Sequence, residues 1–393
     1  MKANLVAIKD CVVKAKTWNP VVEAKDETIT YIDIAAVDKD LKKIVEPTLC
    51  LGAEAPSRAR QLVQTNDVLV STVRPNLNSV AVVTEEFSGA TASTGYTVLR
   101  PLPEVLDTQY LFHWVKTGHF INEMIKLATG QSYPAVSDKI ILNSKIPLPP
   151  LAEQRRIASI LDQADELRQK RQQAIEKLDQ LLQATFIDMF GDPVSNPKGW
   201  EKKKIKQVLT KLTDGTHHSP PAMDEGIPYI TAKHIKEGFI DFYSKPTFVS
   251  IEDHKAIYSR CDPIQGDVLY IKDGATTGIA SINYFDFEFS LLSSVALLRP
   301  NPKLLTSDYL ESWLNHKTVK QNILQNMGGA AIKRLTLAKI KDLDILVPNL
   351  ENQNIFSKVK RQIYIQRQIL ERSFNIQNDL FQSLQNQAFN GTL

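Results

Sequence analysis

The prolines of IPLPP (146–150) are followed by forty residues, 151–190, that contain neither Pro nor Gly, and no other stretch constrains the fold as strongly. Proline fixes φ and removes a backbone donor, so it ends whatever precedes it and presets an extended approach. Within the stretch, apolar side chains recur at Ile157, Leu161, Ala164, Leu167, Ala174 or Ile175, Leu178, Leu181, Thr185 or Phe186, and Met189. Steps of three and four place them on one helix face, which predicts a single helix of about 58 Å at ~1.5 Å per residue. That is far above the usual globular length and points to a coiled coil.

The pattern occurs twice. Residues 350–389 repeat it at an offset of 199, VPNLENQ (347–353) standing against LPPLAEQ (148–154). The same offset sends Ile157 to Phe356, Ile160 to Val359, Ala164 to Ile363, Arg171 to Leu370 and Leu181 to Leu380. Upstream, LRP at 99–101 answers LRP at 298–300, and Tyr110-Leu111 answers Tyr309-Leu310. DVL at 67–69 answers DVL at 267–269, one residue out of step. Agreement of punctuation, spacing and order marks a tandem duplication.

The expected class is therefore α+β, with two mixed globular units related by a pseudo-twofold and separated by two long helices packed as an antiparallel coiled coil. The expected boundaries are 1–148 for the first unit and 149–190 for its helix, then 191–347 for the linker and second unit and 348–393 for the second helix. Ile157, Leu161, Ala164, Leu178, Leu181, Phe356, Val359, Ile363, Leu370 and Leu380 are the expected seam.

With 43% apolar and 23% charged residues, both units can bury a core. A net charge of +3 excludes a strongly basic footprint in the bulk composition, so any nucleic-acid face must come from local arrangement. Cys11, Cys50 and Cys261 lie far apart and form no CxxC pair, which argues against a disulfide framework or a zinc site. MKANLVAIKDC lacks the apolar core of a signal peptide, and no apolar run approaches a membrane span, so a cytoplasmic protein is expected.

Catalytic signatures are missing. There is no GxGxxG opening a helix, no GxxxxGK[ST] and no GxSxG. The amino-methyltransferase run of Asn or Asp, two prolines and an aromatic is also absent, and SPPA at 219–222 is not one. His217 and His218 are adjacent, cannot share a helix face, and have no nearby ligand set at metal spacing, so a polar loop able to touch DNA suits them better. Binding is the expected trade.

The chain in order gives strands around 29–34, two apolar runs about a turn in 67–83, and helical spacing over 110–125 weakened by Gly118. A polar loop follows at 128–137. The second unit repeats these at 227–231, 266–283, 308–325 and 327–336. The turns carry side chains suited to reading DNA: Arg74, Asn76 and Asn78 in one unit, and Lys272, Thr276 and Thr277 in the other. Arg can bond bidentately to guanine and Asn to adenine, while Lys and Thr can take phosphates or base edges. Gln131, Ser132 and Tyr133 correspond in position to a stretch containing Lys333 and Arg334. Antiparallel helices would present the two units to a duplex in inverted orientation, each reading one half-site, with helix length fixing the gap. Diverged loops then imply two unlike halves.

The run IPLPPLAEQRRIASILDQADEL (146–167), its long helix and MFGDP…NPKGWE (189–201) resemble the specificity subunit of type I restriction–modification systems. The resemblance covers essentially the whole chain. The second helix entry, VPNLENQ, departs from the family's P-L-x-E-Q but keeps Pro348, Leu350 and Gln353. The resemblance implies a non-catalytic reader of double-stranded DNA that binds two adenine-N6 methyltransferase subunits and is joined by restriction subunits. It implies no cofactor on this chain, with S-adenosylmethionine, ATP and Mg on the partners. Arg155, Arg156, Lys358 and Arg361 would be docking or phosphate contacts. The competing reading is a coiled-coil scaffold that joins proteins without selecting DNA.

Overall fold

A computed structural model describes residues 4–325 and 334–393. The chain divides into two compact units, Met1–Gln172 with Arg372–Leu393, and Gln173–Glu371. Each unit therefore holds part of both long helices, which span Leu151–Phe190 and Leu350–Asn390.

In the first unit an antiparallel four-stranded sheet runs in the order Val80–Val82, Val68–Ser71, Tyr96–Pro101, Val12–Lys14. Strands Val68–Ser71 and Val80–Val82 form the hairpin expected about the 74–78 turn, with Val70 opposite Val80. A five-stranded sheet lies beyond it and contains the β-branched run as Thr28–Ile32, paired in parallel with Thr91–Ser93. The helical segment 110–125 is two helices, Thr108–Val115 and Gly118–Leu127. The break falls where the Thr117 hydroxyl caps the second helix, accepting from the Phe120 N–H at 3.1 Å. Residues 138–143 form the helix Asp138–Asn143, and the strand Lys145–Leu148 then leads into the long helix.

The second unit repeats the plan. Its four-stranded sheet runs Ala280–Ile282, Val268–Ile271, Val295–Pro300, Leu209–Asp214, the same order and sense. Its parallel pair is Ile227–Ile230 with Ser290–Leu291. Helices Ser307–Asn315 and Lys317–Gln325 again take the place of one.

Identical polar locks tie each long helix to its unit. The buried Gln154 accepts from the Asp107 N–H at 2.9 Å and donates to the carbonyls of Val105 and Pro149 at 3.0 and 2.8 Å. Gln353 accepts from Thr306 N–H at 2.8 Å and donates to Leu304 and Pro348 at 2.9 and 2.8 Å. Tyr110 and Tyr309 each donate 2.9 Å hydrogen bonds to the strand before the helix, at Pro147 and Leu346. Arg100 clamps Asp67 with two 2.8 Å bonds, and Arg299 clamps Asp267 at 2.8 and 2.9 Å.

Within each unit the two helices run antiparallel. In the first, Arg156 reaches the Leu393 carbonyl at 2.9 Å and the Arg168 guanidinium lies 5.4 Å from the Phe381 ring centre. In the second, Arg367 lies 3.5 Å from Asp179, and Phe190 packs edge-on against Phe356. Ile157, Leu161 and Ala388 are buried in one core, and the partly buried Phe381, Leu384 and Phe389 pack against it. Phe356, Phe186 and Phe190 join the other, and Ile363 is buried. Ala164, Leu178, Val359 and Leu370 are half-buried. Leu181 and Leu380 correct the expected seam: they are 51% and 54% exposed. Their neighbours Leu182 and Phe381 turn in instead. A helix of ~3.6 residues per turn drifts by about 20° per heptad against a strict seven-residue repeat, so the apolar stripe moves on by one position.

Candidate nucleic-acid interface

The 74–78 turn closes the first unit's hairpin, between Val68–Ser71 and Val80–Val82. Residues Pro75–Leu77 form one 3-10 turn, bracketed by Arg74 (φ 48°, ψ 63°) and Asn78 (φ 46°, ψ 52°), both left-handed. L-residues with side chains rarely adopt this region, and a following proline disfavours helical backbone further. Surrounding bonds hold it. The Arg74 N–H donates to Pro134 O at 2.7 Å, Val73 pairs with Ala135, and Val136 N–H donates to Thr72 O at 2.9 Å. These bonds lay the 129–135 loop along the turn. Tyr133 is 69% exposed, and its ring centre lies 4.6 Å from the Arg74 guanidinium carbon.

Asn76, Gln131 and Ser132 are exposed beside them. Asn78 is half-buried and serves the fold: its side chain donates to Val115 O at 2.9 Å, and its carbonyl accepts from Lys42. Burial, reinforced by Lys116, lowers the Lys42 pKa to about 8.

The second unit's turn is KDGATTG, residues 272–278. Leu335 N–H donates to Lys272 O at 2.8 Å, and Asp273 pairs with Arg334 in an isolated bridge. These match Val136 with Thr72 and Val73 with Ala135, so the turns align with Gly274 against Arg74 and Gly278 against Asn78. Both glycines have positive φ, 106° and 95°. Two expected DNA contacts turn inward: Lys272 is buried, 2.8 Å from Asp273 and 3.4 Å from Asp214, and the Thr277 hydroxyl donates to Gly274 O at 2.7 Å. Lys272 aligns not with Arg74 but with Thr72, which is itself buried just past the end of its strand. Thr276 is exposed. Arg334 is exposed but its Nε lies 3.3 Å from Asp273. His217 is half-exposed, 3.5 Å from Asp214, and His218 is exposed nearby. Lys333 lies outside the described residues.

Among the described residues no group of three His, Cys, Asp or Glu side chains could hold a metal. None of their helices is long and apolar enough to cross a membrane. On the long helices Arg155, Arg156, Lys358 and Arg361 are exposed, Arg156 pairing with Glu153 at 2.7 Å. The locks formed by Gln154, Gln353, Tyr110 and Tyr309 were legible only as repeated letters. Their paired recurrence at one offset was the signal.

The family described as "Type I restriction modification DNA specificity domain" matches residues 57–177 and 197–378. The specificity subunit of type I restriction enzyme MjaIX from Methanocaldococcus jannaschii is 22% identical over 281 residues, 66% of this chain and 62% of that protein. The EcoBI specificity subunit of Escherichia coli is 23% identical over 66% of this chain and 60% of its own length. The chain thus spans less than two thirds of these curated relatives. A solved chain from a study of complex assembly and conformational transition of the type I R-M system is 25% identical, with a TM-score of 0.59 over 99% of this chain and 98% of that one. The type I restriction–modification S subunit from M. genitalium shares the fold, with a TM-score of 0.59 over 98% of this chain and 96% of that one, at 13% identity. On the two matched segments, which together cover most of the sequence, the chain belongs to the type I restriction modification DNA specificity domain family.

Proposed function

We propose that the chain is the non-catalytic DNA specificity subunit of a type I restriction–modification complex. Each unit reads one half of a bipartite, asymmetric site. The long helices set the gap and dock two adenine-N6 methyltransferase subunits and the restriction subunits, with S-adenosylmethionine, ATP and Mg residing on those partners. The observation that carries this reading is the duplicated turn. Both units hold it at the same place in the same sheet, with left-handed backbone at both ends, yet the side chains offered differ. A conserved frame with divergent presented groups is what two unlike half-sites require. Exposed apolar side chains on the long helices, including Leu181, Ile365, Ile369, Ile376 and Leu380, fit a face that partner subunits cover.

The test is a map of methyladenine on DNA from cells expressing the methyltransferase partner with and without this chain. A split motif with two unlike halves, present only with the chain, is the expected result. Identical maps, given verified assembly, would replace this reading with the protein-joining scaffold.

A further inference from the structure

The two turns differ at one position in a way that fold stability alone does not explain. Both units require left-handed backbone there. The second unit meets the requirement with Gly274, and among the described residues a Cβ built on it would meet nothing within 4 Å. The first unit places an arginine there, followed by proline, in a conformation that disfavours both. Strain of this kind persists where a side chain is needed at a fixed place.

The Arg74 side chain is also left available. It is exposed, and the described residues give it no carboxylate partner; what it has is the face of Tyr133. By contrast, Arg334 beside the other turn is tied to Asp273. Stacking on an aromatic ring fixes the plane of a guanidinium and leaves its donor edge free. A planar fork held at a defined angle matches the O6 and N7 acceptors of guanine in the major groove, where a flexible cation would suffice for a phosphate.

We propose that Arg74, positioned by the ring of Tyr133 and the bond from its own N–H to Pro134, reads a guanine in the half-site of the first unit. The second unit, with Gly274 in that place, has no equivalent reader in its turn, and this difference is one source of asymmetry between the halves. The inference rests on the DNA-specificity reading above.

The decisive variant is Arg74→Gly, because glycine accepts the left-handed backbone and the sister turn already uses it. The chain should fold at least as well, with an equal or higher melting temperature, so loss of recognition cannot be ascribed to unfolding. Methyladenine is mapped on DNA from cells co-expressing the methyltransferase partner with wild type, Arg74→Gly, Tyr133→Ala or Tyr133→Phe. The expected result for Arg74→Gly is an unaltered gap and one unaltered half. In the other half, preference for guanine at one position should fall by about tenfold. Tyr133→Ala should weaken the same preference, and Tyr133→Phe, which keeps the ring, should retain more of it. An unaltered motif in Arg74→Gly, or methylation lowered equally at all sequences as a phosphate contact would give, overturns the proposal. If the wild-type map matches that of cells lacking the chain, it is the specificity reading that fails, which is decided before any variant is compared.

Discussion

Asp67 and Asp267 are buried carboxylates, each gripped by the two-pronged guanidinium of an arginine from the neighbouring strand. Removing one partner of such a pair strands the other, at about 3–5 kcal/mol. Arg100→Leu is therefore expected to lower stability by about 3 kcal/mol in denaturant titration; a change below about 0.5 kcal/mol would show that Asp67 is satisfied without it. His113 contributes to the pH dependence, as do His234 and His316, whose pKa values burial also lowers. Burial lowers the His113 pKa, outweighing the pull of Asp162, whose Oδ1 lies 2.7 Å from Nε2. Its Nδ1 is buried without a hydrogen-bond partner, so a second proton would find no acceptor. The unfolded chain takes that proton near pH ~6.5, the folded chain only below it. Unfolding is thus favoured as pH falls through that value, and the contribution of the neutral ring is complete above it. The melting temperature should drop between pH 7.5 and 5.5, and drop less in His113→Gln. Equal drops would assign the effect to other groups.

At the scale of elements, the helix entries are the most informative. Gln154 alone satisfies one N–H and two carbonyls around the start of the first long helix. Each buried polar group left unpaired costs about 1–3 kcal/mol. Gln154→Leu should destabilise by at least about 3 kcal/mol, whereas Glu153→Ala, which removes only an exposed pair with Arg156, should change stability by less than about 1 kcal/mol. Equal effects would mean the glutamine is not the lock. The motif letters Gln154 and Gln353 were visible in the sequence, but their role was not, because two of the three partners of each lie 47 and 49 positions away on another loop. The seam shows the same limit. Ile157, Leu161, Phe356 and Ile363 were legible from spacing, while Leu181 and Leu380 were misplaced together, since a shared offset repeats an error as faithfully as a success.

For the whole molecule, both long helices run through the boundary between the units, at Gln172 and Gln173 in one and at Glu371 and Arg372 in the other. On the proposed reading their length sets the gap of the target. Deleting 169–175 together with 368–374 removes one heptad from each helix, about 10 Å at ~1.5 Å per residue. That distance is about three base pairs at ~3.4 Å each. The mapped motif should lose that much of its gap or disappear. A motif with its original gap would remove the spacer role while leaving base recognition by each unit intact.

The amino-acid sequence by itself determined the duplication, the two long helices and the paired hairpins, because helix and strand periodicity and proline punctuation are local properties written in consecutive residues. It also pointed to the 74–78 turn and the 131–133 loop as the places where recognition side chains would sit. Only the tertiary structure decided which of those side chains face outward. Lys272 and Thr277 turn in, Gly274 rather than Lys272 stands against Arg74, and Tyr133 comes to lie on that arginine across some sixty residues of chain. The physical reason is that exposure and strain are set by what folds against a residue, and those neighbours are remote in sequence.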